Sequence, residues 1–158
     1  MSLSPELTME QVSSLSRHGT VECMVHGSLK LMVIENCIVG SLLGGKNDLC
    51  CMPCRDDRFV IKDEKGFEFP LLMDECCRTH IFNSRELCLL DDIPSFIKAG
   101  ILRFRIDTRY MDPQKVRSVV AAYKQRIDQC ISEQALSHLS CRDISGKYTK
   151  GHYFRGVL

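Results

Sequence analysis

From Glu35 to Arg58 the chain loses the regular apolar spacing that marks a helix or a strand, and the loop-rich region from Cys37 to Cys77 gains thiols. Cys37, Cys50, Cys51, Cys54, Cys76 and Cys77 fall in a stretch of about forty residues punctuated by Gly, Asn, Asp and Pro. Such a stretch has little hydrophobic surface to bury, so something other than a core has to hold it in shape. Loops lie on the surface and offer no core for a thiol to fill. The thiols themselves are the natural candidates for that role, as metal ligands.

The spacing Cys37-x12-Cys50-x3-Cys54-x22-Cys77 supplies four thiolates, the usual complement of a cubane iron–sulfur (4Fe-4S) cluster and also of tetrahedral zinc. Thiolate chemistry suits both metals. Cys51-Met52-Pro53-Cys54 is a C-x-x-C pair, but no second such pair stands at zinc-finger distance, which lowers the structural-zinc reading. Spacing leaves Cys50 or Cys51, and Cys76 or Cys77, open as ligands. Cys23, Cys88, Cys130 and Cys141 sit at apolar positions of regular elements and read as buried filler, the usual fate of a lone cysteine.

The surroundings agree with thiols rather than disulfides. The first twenty residues are polar and helix-like, unlike a signal peptide, so the ten cysteines are expected to be reduced and the protein cytoplasmic. No apolar run reaches about 18 residues, which argues against a membrane span. The net charge of +1 gives no general pull toward polyanions, although 21 Lys and Arg leave room for a local basic face.

Either side of the loop the pattern is strand and helix. Thr8 with Gln11 forms a capping box for a helix carrying Met9, Val12 and Leu15, with Gly19 as its stop. Residues 21–25 and 29–34 read as two short strands. Residues 58–62 and 67–72 flank Asp63-Glu64-Lys65-Gly66 as a β-hairpin, with Pro70 placing the second arm at an edge. Residues 79–82 read as a strand, followed by a helix capped at Ser84 that carries Leu87, Leu90 and Ile93. Pro94–Ala99 is a further helical turn, 101–106 a strand, and Asp112-Pro113 opens the best helix, with Val116, Val119, Val120, Tyr123, Ile127 and Cys130 at helical period. A terminal strand is expected around Tyr153. The alternation predicts βα units and a mainly parallel sheet. With 158 residues, against roughly 250 for a full (β/α) barrel, the expectation is one incomplete domain over 1–158, the C-terminal part of a larger protein, with a metal-binding insertion at 35–78.

His26-Gly27-Ser28-Leu29, then Cys37 and Cys50–Cys54, then Asp74–Ser84 (DECCRTHIFNS), Glu86-Leu87-Cys88, Ala99-Gly100, Arg105–Arg109 and Lys150–Tyr153 resemble, in that order, peptidase family U32. The resemblance implies a modified TIM-like (β/α) barrel. It also implies either a collagenase-like protease or an oxygen-independent hydroxylase that carries a four-iron cluster and acts on RNA bases or a small aromatic substrate. By the resemblance the ligands are Cys37, Cys50 and Cys77, with Cys54 as the fourth; a further family cysteine falls at Lys30 here. The strand-end motif falls at Asp107 and Arg109, where such barrels put their chemistry. Arg109 could clamp a carboxylate or phosphate, with a plain surface ion pair as the alternative. His26 and His80 are candidate site residues, against the commoner structural role of a lone histidine.

Three functions follow. One is an iron–sulfur-dependent hydroxylase whose partner is RNA (tRNA or rRNA) or a small aromatic. A second is a protease acting on peptides, pairing Cys37 or Cys77 with His26 or His80, although six neighbouring thiols would threaten one nucleophile with oxidation. The third is a non-catalytic fragment with structural zinc, perched at a dimer contact.

Overall fold

The structure, a computed structural model, describes residues 1–44, 50–132, 140–144 and 146–154. It is a mixed α/β arrangement. Helices α1 (Met9–Ser16), α2 (Ile38–Leu43), α3 (Ile93–Lys98) and α4 (Pro113–Ile131) accompany strands β1 (Glu22–Ile34), β2 (Phe59–Lys62), β3 (Glu68–Met73), β4 (Thr79–Cys88), β5 (Arg103–Ile106) and β6 (Tyr148–Thr149). The strand order is β2-β3-β4-β1-β5, with β6 beside β4. β1 with β5 and β4 with β6 run parallel, while β2 with β3 and β3 with β4 run antiparallel. The sheet is therefore mixed rather than mainly parallel. Among the described residues no helix is long and apolar enough to cross a membrane.

The chain gathers into two compact units, one of residues 1–28 with 85–158, the other of residues 29–84. In the first, α1 starts on the expected capping box: the Thr8 side chain accepts from Gln11 N and the Gln11 side chain accepts from Thr8 N. The buried positions of α4 are Val119, Ala122, Tyr123 and Arg126, an i, i+3, i+4, i+7 stripe; Val120, expected inside, faces out. Asp112 caps the helix by accepting from Lys115 N at 2.9 Å. Leu87, Leu89, Leu90, Ile93, Phe96 and Ile101 are fully buried, each side chain contributing about 1.5–3 kcal/mol by leaving water. Phe96 meets Tyr153 edge to face at 5.3 Å, and the Tyr153 hydroxyl donates to Met24 O at 3.0 Å. Tyr153 is thus a buried turn residue; the terminal strand lies earlier, at Tyr148–Thr149.

The second unit carries the predicted hairpin, Phe59↔Leu71 to Lys62↔Glu68, with Gly66 at φ +81° closing its turn. Its edge is β2. β3 lies between β2 and β4, and Pro70 is tolerated there because the β3–β4 ladder begins one residue later, at Leu71.

Further expectations give way. Residues 21–25 and 29–34 are one strand, β1, because Gly27 at φ +118° carries the chain through without a turn. The helix capped at Ser84 does not form: β4 runs on to Cys88, and Leu87 and Cys88 are buried as strand residues. The cysteine loop is not wholly irregular, since Cys37 starts α2, its sulfur accepting from Gly40 N at 3.1 Å. The thiols are not all free either. Cys88 and Cys141 form a disulfide, their Cα atoms 6.2 Å apart and well placed for a bridge; Cys141 reaches Cys88 from a 3-10 turn at Cys141–Asp143. The other eight cysteines are free.

Candidate functional site

His26 sits on β1 in the first unit and is completely buried. Its ring is held by Tyr123 of α4: Nδ1 lies 3.3 Å from the phenol oxygen. That oxygen donates its one proton to Val25 O at 2.8 Å and accepts from Leu89 N at 3.1 Å. With the proton committed to Val25, the network assigns the proton of the imidazole to Nδ1, donating to Tyr123. Nε2 is then a bare lone pair. Among the described residues it has no hydrogen-bond partner, and it faces Glu86 Oε2 at 3.9 Å. Lys115 Nζ donates to the same oxygen at 2.7 Å. Burial pushes the imidazole down to about 4, and the Lys115 cation adds to the effect, so His26 is neutral near pH 7. The Tyr148 ring leans over His26 at 5.7 Å; burial, with Glu86 second, pushes its phenol up to about 12. Lys115 also borders a cleft of about 770 Å³ lined further by Gln114, Ser118, Ile144 and Gly146.

Asp107 and Arg109 follow β5 in the same unit. The Asp107 N–H donates to His26 O at 2.9 Å, which brings the strand-end motif beside the His-Gly motif. This approach demands glycine at 27, where a Cβ would lie 2.8 Å from Asp107 Cβ and collide with its carbonyl oxygen. The Arg109 guanidinium is engaged by Asp107: Nε donates to Oδ1 at 2.9 Å and Oδ2 at 3.0 Å, and a terminal nitrogen pairs with Oδ2. Burial alone would raise the Asp107 carboxyl; the hydrogen bonds and charge of Arg109 outweigh it and hold the group below its ordinary value. The plain ion pair is thus formed, and any ligand clamped by Arg109 has to share the guanidinium with Asp107.

In residues 29–84 the cysteines divide. Cys37 and Cys50 converge on Gly40, where a Cβ would lie 3.1 Å from Cys37 Sγ and 3.5 Å from Cys50 Sγ. Both sulfurs accept backbone N–H groups, from Gly40 at 3.1 Å and Met52 at 3.4 Å. Cys54 is half-buried in the 3-10 turn Pro53–Arg55. Cys51 Sγ donates weakly to Leu43 O at 3.6 Å. Cys76 and Cys77 are exposed in a turn, Cys77 at φ +56°. Asp74 organises that turn. It accepts from Cys76 N and Arg78 N at 3.0 Å, from Arg78 Nε at 2.8 Å, and its Oδ2 bonds His80 Nε2 at 2.9 Å. His80 first and Arg78 second hold its carboxyl well below the usual carboxylate range. His80 is committed to this turn, as His26 is to Tyr123, rather than aligned as the base of a cysteine nucleophile.

Soft thiolates fit an iron–sulfur cluster or zinc in kind. In arrangement, Cys37 and Cys50 both border Gly40, and no group of three or more His, Cys, Asp or Glu among the described residues converges as a metal site. Cys23 behaves as filler: it is fully buried, and burial with Glu22 pushes its thiol up to about 11. Lys30 is exposed.

Sequence reasoning missed Glu86, Lys115, Tyr123 and Tyr148 as neighbours of His26. The available signal was Glu86 itself, in the family-like Glu86-Leu87-Cys88 at the head of the apolar run Leu87–Leu90; read as helix, it pointed to no partner.

Comparison with known proteins adds an identity. No solved structure matches the chain. Three curated proteins do. The tRNA hydroxylation protein P2 of Bacillus subtilis (strain 168) is 26% identical over 137 residues, covering 84% of this chain and 44% of the relative. The 23S rRNA 5-hydroxycytidine C2501 synthase of Escherichia coli (strain K12) is 24% identical over 137 residues, covering 84% and 20%. The tRNA hydroxylation protein P1 of Bacillus subtilis (strain 168) is 24% identical over 111 residues, covering 68% and 26%. The chain thus spans less than half the length of the curated relatives it matches. The model of peptidase family U32 matches residues 1–156, and the chain belongs to that family.

Proposed function

We propose that the chain is the cysteine-bearing part of an RNA hydroxylase, cytoplasmic, with tRNA or rRNA as partner and a 4Fe-4S cluster on Cys37, Cys50, Cys54 and Cys77. The observation that carries this reading is its similarity to three proteins named for hydroxylation of tRNA or rRNA. The backbone N–H groups of Gly40 and Met52 directed at the Cys37 and Cys50 sulfurs support the cluster, since such donors stabilise cluster thiolates. When bound, the cluster would supply electron transfer; Cys54 and Cys77 would complete its ligand set. The parallel β1–β5 and β4–β6 pairs support placement of this unit within a modified barrel.

The test has two arms. Anaerobic reconstitution should give iron and sulfide in equal amounts, lost in Cys37→Ala and Cys50→Ala and kept in Cys51→Ala and Cys76→Ala. Zinc alone, with no iron taken up, sinks the cluster. Nucleoside mass spectrometry of RNA from cells lacking the gene should show one nucleoside short of an oxygen atom, restored by the intact gene. RNA that is unchanged sinks the hydroxylase.

A further inference from the structure

The Cys88–Cys141 disulfide stands in a chain whose other eight cysteines are free, with Cys50, Cys51, Cys76 and Cys77 exposed. A structural framework pairs its cysteines throughout; one bridge among open thiols is the pattern of a bond that is made and broken. Its two ends are unequal. Cys88 closes β4 and is 2% exposed, between the fully buried Leu87 and Leu89, and its sulfur lies 3.9 Å from the Tyr123 hydroxyl. The core holds it with or without a bridge. Cys141 is half-buried and opens the 3-10 turn Cys141–Asp143.

That turn is a poor structure by itself. Asp143 N donates to Ser140 O at 3.0 Å and Ile144 N to Cys141 O at 3.3 Å, while Ser140 N donates to Asp143 Oδ2 at 2.7 Å. A single turn does not persist on its own hydrogen bonds, because ordering it costs more than they return. Toward the rest of its unit it offers the bridge, a long Ser140 Oγ contact to Asp91 Oδ2 at 3.4 Å and the buried Ile144 side chain. The turn is also a wall: Asp143 and Ile144 line the cleft of about 770 Å³ together with Lys115, Ser118 and Gln125 of α4.

We propose that Cys88–Cys141 is a reversible redox latch on this cleft, opened by a dithiol that attacks Cys141. The inference goes beyond the RNA reading and does not depend on it. A thiolate of the dithiol attacks Cys141 Sγ, the reachable sulfur; the Cys88–Cys141 bond breaks, and Cys88 leaves as a thiolate and takes up a proton. The second thiol of the reductant then attacks its own sulfur in the mixed disulfide, and Cys141 leaves and is protonated in turn. Two electrons and two protons pass to the protein, and the dithiol ends as a disulfide; a disulfide oxidant runs the steps backward. The open form keeps Cys88 in the core as a buried thiol and loses Asp143 and Ile144 from the cleft wall.

The experiment equilibrates the full chain in mixtures of reduced and oxidised dithiothreitol without denaturant. After an acid quench, each cysteine is read by alkylation and peptide mass spectrometry, with amide exchange measured on the same mixtures. Cys88 and Cys141 should lose their bridge together, in one two-electron transition. Reduction should speed exchange at Asp143 and Ile144 by about tenfold or more, while the amides of Glu86, Leu89 and Tyr123 keep their protection. Glutathione disulfide should modify Cys141 in Cys88→Ala and leave Cys88 untouched in Cys141→Ala; the reverse overturns the assignment of the attacked sulfur. Free thiols at both positions in the air-oxidised protein overturn the latch. A bridge that opens only in denaturant is a structural staple and overturns it as well. So does reduction that leaves Asp143 and Ile144 unchanged, or that strips protection from the whole unit. The wild-type titration stands even where a variant fails to fold.

Discussion

The Asp107 N–H donates to the His26 carbonyl at 2.9 Å, and the residue between that carbonyl and the rest of β1 has room for no side chain. The His-Gly pair and the Asp-x-Arg motif, eighty residues apart in sequence, are two halves of one backbone contact. Gly27→Ala meets both a positive φ and a backbone collision, so it should destabilise the chain by about 3 kcal/mol or more. Gly100 is the control: φ is +81° but nothing lies within 4 Å of its virtual Cβ, so Gly100→Ala should cost only about 1 kcal/mol. Urea midpoints of the two variants check this, and similar shifts would refute it.

Buried His26 sets a pH dependence. Its folded value of about 4 lies below the ordinary 6.5, with Glu86, Lys115, Tyr123 and Tyr148 as the groups around it. The unfolded chain therefore takes up the proton first as pH falls. The stabilisation is whole above about pH 6.5 and is lost progressively down to about pH 4, in total roughly 3 kcal/mol. Denaturation midpoints between these limits should fall for the wild type and flatten for His26→Gln. Parallel curves would show that His26 is not the group.

Asp74 holds the Cys76–Cys77 turn through four hydrogen bonds with Cys76, Arg78 and His80. Asp74→Ala should accelerate amide exchange at Cys76 and Arg78 by about tenfold or more, while β2 and β3 amides stay protected. Unchanged exchange at those two amides would mean that the turn is held by something else.

The Cys88–Cys141 disulfide joins residues 53 apart in sequence, a loop whose closure is worth about 4 kcal/mol on the chain-entropy scale. A reductant should lower the melting temperature of the wild type to that of Cys141→Ser and leave the variant where it is. Insensitivity of the wild type would exclude the bridge.

What the sequence conveyed was mostly local. The Thr8–Gln11 box, the Asp63–Gly66 turn and the Asp112-Pro113 start are decided within four residues, and each formed as read. The failures came where long-range pairing overrode a local signal. Ser84 is a good cap, but the strand through it pairs on toward Cys88 and wins. Gly27 looked like a break because a glycine after a strand usually is one; the demand on it comes from Asp107, which no window around residue 27 contains. His26, Cys37 and Cys50 were legible as residues worth watching. Their neighbours Glu86, Lys115, Tyr123 and Gly40 were not, since nothing in spacing reveals which helix face meets which strand.

The Tyr123 hydroxyl gives its one proton to Val25 O and accepts from Leu89 N, and that commitment decides the tautomer of the histidine beside it. In a chain whose long helix has not docked, His26 is an ordinary imidazole of either tautomer, as basic as any in water. Docking α4 selects the tautomer and removes the basicity at once. The neutral, single-tautomer state of this histidine is therefore a certificate of assembly: it belongs to molecules in which α4 has docked.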